Sequence, residues 1–233
     1  VKASAANAGL VGTEDYLTAT LEGVVVDVNI GKSSNTILKP FINYKETFGD
    51  AGQVFAFENS SINLDYDTSI IAVSASNAHI EVSEFLYLDG AISFSKGTTL
   101  DATVNNGLLS YDATSTTTVD IMTIAGYNLT GFAGVGGHDS ADRIGVEVKN
   151  ATFAGALMKT GLTAPAHLLN TSFIAAKATI ENAELVGMDS VVTAQLEDID
   201  ININTGKSLS LIHIRLQRRN SQVQTPLHSP ACY

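Results

Sequence analysis

The strongest constraint on this chain is that it contains one segment twice. Residues 1–33 read VKASAANAGLVGTEDYLTATLEGVVVDVNIGKS, and residues 176–208 read AKATIENAELVGMDSVVTAQLEDIDININTGKS. They align without a gap at an offset of 175 residues, and 15 of the 33 positions are identical, among them the LVG and GKS triplets. A long fixed period identifies a repeat array, in which each unit covers its apolar surface by packing on the next. The expected organisation is therefore residues 1–33 as the C-terminal part of one repeat and 34–208 as one complete repeat. The chain reads as a window on a longer tandem protein.

Residues 209–233 do not belong to that array. Leu209–Ile214 is LSLIHI, which CTG-TCT-CTT-ATA-CAC-ATC encodes, a DNA that resembles the mosaic end of transposase-based sequencing libraries. The text after it is basic, shows no alternation and carries the single cysteine, Cys232. These 25 residues read as translated adapter, a non-native tail, and carry no weight in reasoning about fold.

Without the tail the chain has 10 Lys and Arg (13 less Arg215, Arg218 and Arg219) against 24 Asp and Glu, a formal net charge of −14. Nucleic acid needs a basic footprint, so it is excluded as a partner. No apolar run reaches the ~18 residues that a membrane-spanning helix takes. The trimmed chain has no Cys and no Trp. A large repeat array does without disulfides because stacking supplies its core, which suits a large exported bacterial protein.

The dominant local pattern is period-two alternation, the mark of strands with one buried side. Val24, Val26, Val28 and Ile30 alternate with Val25, Asp27 and Asn29. The second copy places Ile199, Ile201 and Ile203 on one side and Asp198, Asp200, Asn202 and Asn204 on the other. Alternating runs break at Asn7, Gly23, Asn59, Asn77, Asn128, Asn150, Asn182 and Asp198, mostly at multiples of ~17 residues, the size of a solenoid rung. Asn suits such corners because it tolerates the left-handed region and bonds nearby backbone. The expected fold class is all-β: an elongated repeat architecture, first a parallel β-solenoid or β-helix. An antiparallel β meander or sandwich repeat is the alternative, since period two does not reveal strand direction. The best candidate for a helical turn is TAPAHLL, 163–169.

Motifs with chemistry are few. Gly31-Lys32-Ser33 and Gly206-Lys207-Ser208 match the end of a phosphate loop, but Val26 and Ile201 stand where its first glycine belongs, and a strand leads into each triplet. They read as strand-ending turns. In the loop Gly134–Asp142, Asp139 and Asp142 are the candidate metal ligands: with Ser140 and backbone carbonyls they suit a hard cation such as calcium. The Asp198–Asn204 row spaces oxygens at ~7 Å along one strand side, too far apart for a single ion without a neighbouring strand. His79, His138 and His167 lack zinc-ligand spacing. Asn59, Asn128, Asn150 and Asn170 open glycosylation sequons, three of them at pivots, where turn chemistry accounts for the asparagine.

Four strings taken in order, LDGAISFSKG (88–97), MTIAGYNLTGFAGVGG (122–137), RIGVEVKNATFAGALMK (143–159) and FIAAKATIENAELVGMDSVVTAQLEDIDININTGK (173–207), resemble a long β repeat of giant bacterial surface or secreted proteins of the RTX and adhesin type. The resemblance implies an extracellular or cell-surface location and a mainly structural role. It brings no catalytic residues. The acidic loop at 138–142 is shorter than such repeats lead one to expect. The expected function is a non-catalytic structural or adhesive tandem repeat of a giant exported protein, a spacer or surface-contact module. Its partners are neighbouring repeats and a cell-surface or polysaccharide ligand; no cofactor is required, calcium being the one candidate. The alternatives are a carbohydrate-active β-helix enzyme, lyase or hydrolase, which needs acids converging near Arg143 or a lysine, and a calcium-stiffened extracellular module.

Overall fold

The structure is a computed structural model and describes residues 1–13, 16–35, 40–105, 114–161, 164, 168, 169 and 171–206. The adapter-like tail, His167, Asn170, Lys207 and most of the 163–169 segment lie outside the described residues.

Eight strands make one sheet. They are β1 (Lys2–Gly9), β2 (Leu17–Asn29), β5 (Ile70–Val82), β6 (Leu86–Asn105), β7 (Thr114–Val135), β8 (Ile144–Thr160), β9 (Ser172–Val186) and β10 (Gln195–Gly206). They lie in the sheet in that order, each bonded to its sequence neighbours in the sheet, and every pairing is antiparallel. Between β2 and β5 the chain detours through α1 (Tyr44–Phe48) and a small hairpin, β3 (Gln53–Ala56) and β4 (Ser61–Leu64).

The all-β expectation holds, but the parallel solenoid does not: among the described residues the architecture is an antiparallel meander. Period-two patterning is identical for the two arrangements, and short connections favour the antiparallel one, since a hairpin needs only a few residues and a parallel crossover a dozen or more. The pivots are corrected with it. Gly23, Asn128, Asn150 and Asp198 do adopt the left-handed region, with φ of 56°, 51°, 52° and 52°. They sit inside strands, however, not at corners between rungs. Asn77 lies in the register irregularity between Ala75 and Ala78. Asn59 is in the turn joining β3 to β4, and Asn7 and Asn182 are ordinary strand residues.

These interior pivots line up across the sheet. Glu22, just before Gly23, faces Asn77; Lys149, just before Asn150, faces Asn182, which faces Glu197, just before Asp198. They form a row of ladder irregularities, the bulge row. The β5–β6, β6–β7 and β7–β8 pairings shift register along it, as at a β-bulge, while the β2–β5, β8–β9 and β9–β10 pairings skip one or two residues on each strand and keep their register. The alternation shows the same slip. On β2 the apolar residues run Leu17, Ala19, Leu21, then Val24, Val26, Val28. On β8 they run Val146, Val148, then Ala151, Phe153, Gly155, Leu157, and on β10 Leu196, then Ile199, Ile201, Ile203. Each of these strands passes the row with two residues instead of one between successive apolar positions, so the phase slips in step from strand to strand and one side of the sheet remains apolar.

On that side burial concentrates beside the bulge row, where Ala75, Ala78 and Leu129 are buried. Further out Val73, Ile124, Val146 and Leu157 are all more than 40% exposed. Phe153 lies across Gly126, where an added Cβ would stand 2.5 Å from its ring. The detour packs on the opposite side at the β1–β2 edge. The amide of Asn29 donates to the carbonyls of Ile42 and Thr68 at 2.9 and 2.8 Å. Lys2 pairs with Asp65 at 3.2 Å. The hydroxyl of Tyr66 lies 2.7 Å from Asp27 Oδ1 and 2.8 Å from the Val1 carbonyl oxygen; burial, then the Asp27 carboxylate, holds its pKa well above the ordinary tyrosine value. Helix α1 is capped by Asn43, whose Oδ1 accepts from the Glu46 amide at 2.9 Å while its Nδ2 donates to the Glu46 carboxylate at 3.1 Å.

The repeated segment appears twice in this sheet, as the β1–β2 hairpin at one edge and the β9–β10 hairpin at the other. Their registers correspond pair for pair: Lys2↔Asp27 and Lys177↔Asn202, Ala5↔Val24 and Ile180↔Ile199, Asn7↔Glu22 and Asn182↔Glu197, Gly9↔Thr20 and Glu184↔Gln195.

Candidate functional site

The polar side of the sheet, on the far side of the bulge row from the detour, carries a dense group of charged and aromatic side chains. Register alone assembles its central line: Glu81 faces Tyr87, Tyr87 faces Phe132, Phe132 faces Glu147, and Glu147 faces Glu184. One line further along, His79 faces Asp89. The β7–β8 turn then folds His138 and Arg143 over the group.

Aromatic stacking fixes the middle. The His138 ring lies on Tyr87 with centroids 3.7 Å apart and planes 14° from parallel. His79 meets the same tyrosine edge-on at 5.3 Å. Burial, followed by the negative charges of Asp89, Asp139 and Glu81, raises the Tyr87 pKa. Beside this stack Phe132 is 2% exposed. Its ring occupies the space over the facing pair Gly134 and Gly145: a Cβ on either would stand within 2.6–2.8 Å of the ring and within 2.2–2.4 Å of a backbone carbonyl oxygen. The glycines are what admits a phenylalanine to this side of the sheet. The Arg143 guanidinium covers it at 5.7 Å from the ring centroid, an arrangement in which the cation meets the negative ring face.

The charges are arranged in bonded sets. Arg143 donates through Nη1 to the His138 carbonyl and through Nη2 to Glu147 Oε2 at 3.2 Å. Lys149 bridges Glu147 at 2.8 Å and Glu184 at 2.7 Å. The lysine hydrogen bond holds the Glu184 carboxyl below the usual carboxylate range, and the two carboxylates raise the Lys149 pKa. His79 Nδ1 lies 3.4 Å from Asp89 Oδ2, which also accepts from Asn77 Nδ2 at 3.3 Å. His138 Nδ1 stands 3.9 Å from Glu81 Oε1 and its Nε2 3.2 Å from Asp139 Oδ1.

The sequence-derived metal candidates are not gathered into a cage. Asp139 is 92% exposed in its side chain and turns its carboxylate to His138, while the Asp142 amide donates to Ser140 Oγ at 3.2 Å within the turn. Among the described residues no group of three or more His, Cys, Asp or Glu side chains is placed to hold a metal ion. Beside the strand row Asp198–Asn204, Glu181 lines a polar hollow of about 460 Å³ with Asp198, Asp200 and Asn150; Glu181 accepts from Asn150 Nδ2 at 2.7 Å. The Gly31 amide bonds to the Pro40 carbonyl at 2.7 Å in the segment that follows β2.

Sequence reasoning treated His79 and His138 as unrelated, and register plus one turn unites them across Tyr87. It singled out Arg143 but not Glu147, Lys149 or Glu184. The visible signal was the string Gly134-Val135-Gly136-Gly137 and Gly145, glycines dense enough to admit a bulky neighbour. A second feature it missed is a cleft of about 710 Å³ beyond the bulge row, lined by Ile71, Met122, Leu157 and Phe173 with Lys96 and Lys159. No known protein family, no curated protein and no solved structure matches this chain.

Proposed function

We propose that this chain is a structural tandem repeat of a large exported bacterial protein, a spacer whose polar side makes surface contacts. The observation that carries the reading is the pair of equivalent hairpins, 175 residues apart, at opposite edges of one sheet. A unit that starts and ends on the same element can be strung end to end. The charge pattern supports a contact surface. Glu147 and Glu184 are paired with Arg143 and Lys149, and the Glu184 carboxyl, held below its usual pKa by Lys149, is suited to fixed ion pairing, whereas a general acid needs the opposite shift.

One period from β1 to β9 spans six strands, β1, β2, β5, β6, β7 and β8. At 4.7–4.9 Å between strands, each added repeat lengthens the molecule by about 29 Å. The test is small-angle scattering of this chain beside one in which residues 34–208 are duplicated. The spacer reading requires the maximum dimension to grow by about that amount. An unchanged maximum dimension with a thicker cross-section refutes it.

A further inference from the structure

We propose that the outer edge of β10 is a docking edge for the β5-equivalent strand of a following copy of the repeat, so that copies join by backbone hydrogen bonds into one unbroken antiparallel sheet. The inference rests on the tandem-repeat reading and adds to it the surface, the partner and the register.

β10 is the counterpart of β2, down to the left-handed residue that its ladder skips, Gly23 in one and Asp198 in the other. β2 uses one edge for β1 and the other for β5, in a register running from Leu17↔Val82 to Asn29↔Ile70. β10 uses the corresponding first edge for β9. Among the described residues no strand pairs with its second edge, which leaves a row of main-chain donors and acceptors of the kind that takes up an added strand. Shifting the β2–β5 register by 175 residues specifies the seam. Leu196 would face the Ala78 equivalent, Asp200 the Ser74 equivalent, Asn202 the Ala72 equivalent and Asn204 the Ile70 equivalent. In that register Ile199, Ile201 and Ile203 extend the apolar side already formed by Val24, Val26 and Val28. The acidic residues Glu197, Asp198 and Asp200 guard the same edge against indiscriminate pairing, a common device on exposed strands.

The seam also carries a selectivity. A Cβ on Gly23 would stand 2.4 Å from Ser76 Oγ and 3.1 Å from Ser76 Cβ. β10 has Asp198 at that place, so the strand it accepts fits best with glycine where β5 has Ser76. The chain's own β5, with serine, is matched to β2.

The experiment captures a β5 peptide on the whole chain. The chain carries D200C with Cys232→Ser, and the peptides span Ser69–Ser83 with a single cysteine, S74C or A72C, each with serine or glycine at position 76. Directly opposed residues lie within disulfide reach, whereas the diagonal neighbour is too distant, so S74C is expected to be captured at least about tenfold faster than A72C. The S76G peptides should be captured several-fold faster than those with serine. A whole-chain V25C/S74C variant, also with Cys232→Ser, supplies the β2–β5 standard for the same geometry. Capture that is absent from both peptides, or equal for the two, while the standard oxidises, overturns the seam. Spacers joined by linkers would still lengthen by a repeat in scattering and give no capture, so the two readings fail separately.

Discussion

The row of ladder irregularities across the sheet depends on a few residues held at positive φ, and Asn128 tests that dependence cleanly. It is exposed, in the middle of β7, with φ of 51°. Substituting it by alanine or glycine therefore changes little apart from backbone preference. A non-glycine L residue in the left-handed region costs roughly 1–2 kcal/mol, and glycine escapes that cost. Asparagine falls between, because its short side chain bonds nearby backbone. N128A should thus be less stable than N128G by about 1–2 kcal/mol. For a chain of this length each kcal/mol moves the thermal midpoint by about 2–4 °C, so the two variants should separate by about 2–8 °C in thermal circular dichroism. Asn182 supplies the control. It lies in β9 beside the same bulge row but does not have a positive φ. There glycine carries only its entropic cost in a strand, and N182G should fall below N182A by about 0.5–1 kcal/mol. The reasoning is refuted if N128A is as stable as N128G, or if the two sites rank the substitutions in the same order.

Two further outcomes follow from the polar cluster. F132A should cost about 3–5 kcal/mol in urea unfolding because the ring is enclosed by Arg143, Gly134 and Gly145, whereas Y127A, at a ring 69% exposed, should stay within about 0.5 kcal/mol; equal losses would mean that Phe132 supports nothing. The Glu184–Lys149 bond lowers the folded carboxyl's pKa relative to the unfolded chain, so its stabilisation is present above the ordinary carboxylate pKa and is lost as pH falls through the lowered one. Both groups are partly exposed, so the contribution is within about 1 kcal/mol. The stability gap between the native chain and E184Q should therefore be full at neutral pH and shrink on acidification below the ordinary carboxylate range, and a gap that widens as pH falls would show that the pair does not titrate with folding in this sense.

Several features were legible before any coordinates. The doubled segment, the strand alternation and the odd residues at Gly23, Asn128, Asn150 and Asp198 were all read correctly as features of the text. The meaning of the pivots was not. An asparagine or glycine that tolerates positive φ serves a corner between rungs and a bulge inside a strand equally well, and only pairing distinguishes them. A sharper reading was open: the apolar positions of β2 pass from odd numbers (17, 19, 21) to even ones (24, 26, 28) at Gly23, a phase slip that places the pivot inside a strand and not at its end. Helix α1 was missed because five residues are too few for a period of 3.6 to show. Its N-terminal cap, Asn43 with Glu46, and the closing Gly49 were nevertheless in plain view.

What the sequence determined by itself is local or self-referential. Strand content follows from side-chain alternation, charge from counting, and repetition from comparing the chain with itself. What the tertiary structure decided is everything that depends on which strand lies beside which. Direction had to come from pairing, because side chains alternate with period two in parallel and antiparallel sheets alike. The meeting of His79, Tyr87 and His138, and of Arg143 with Glu147, Lys149 and Glu184, needed the register of five strands and one turn, which no spacing along the chain encodes. The equivalence of β2 and β10 belongs to both: the text shows that the segments match, and only their positions at opposite edges of one sheet show that β2 is paired on both sides and β10, among the described residues, on one.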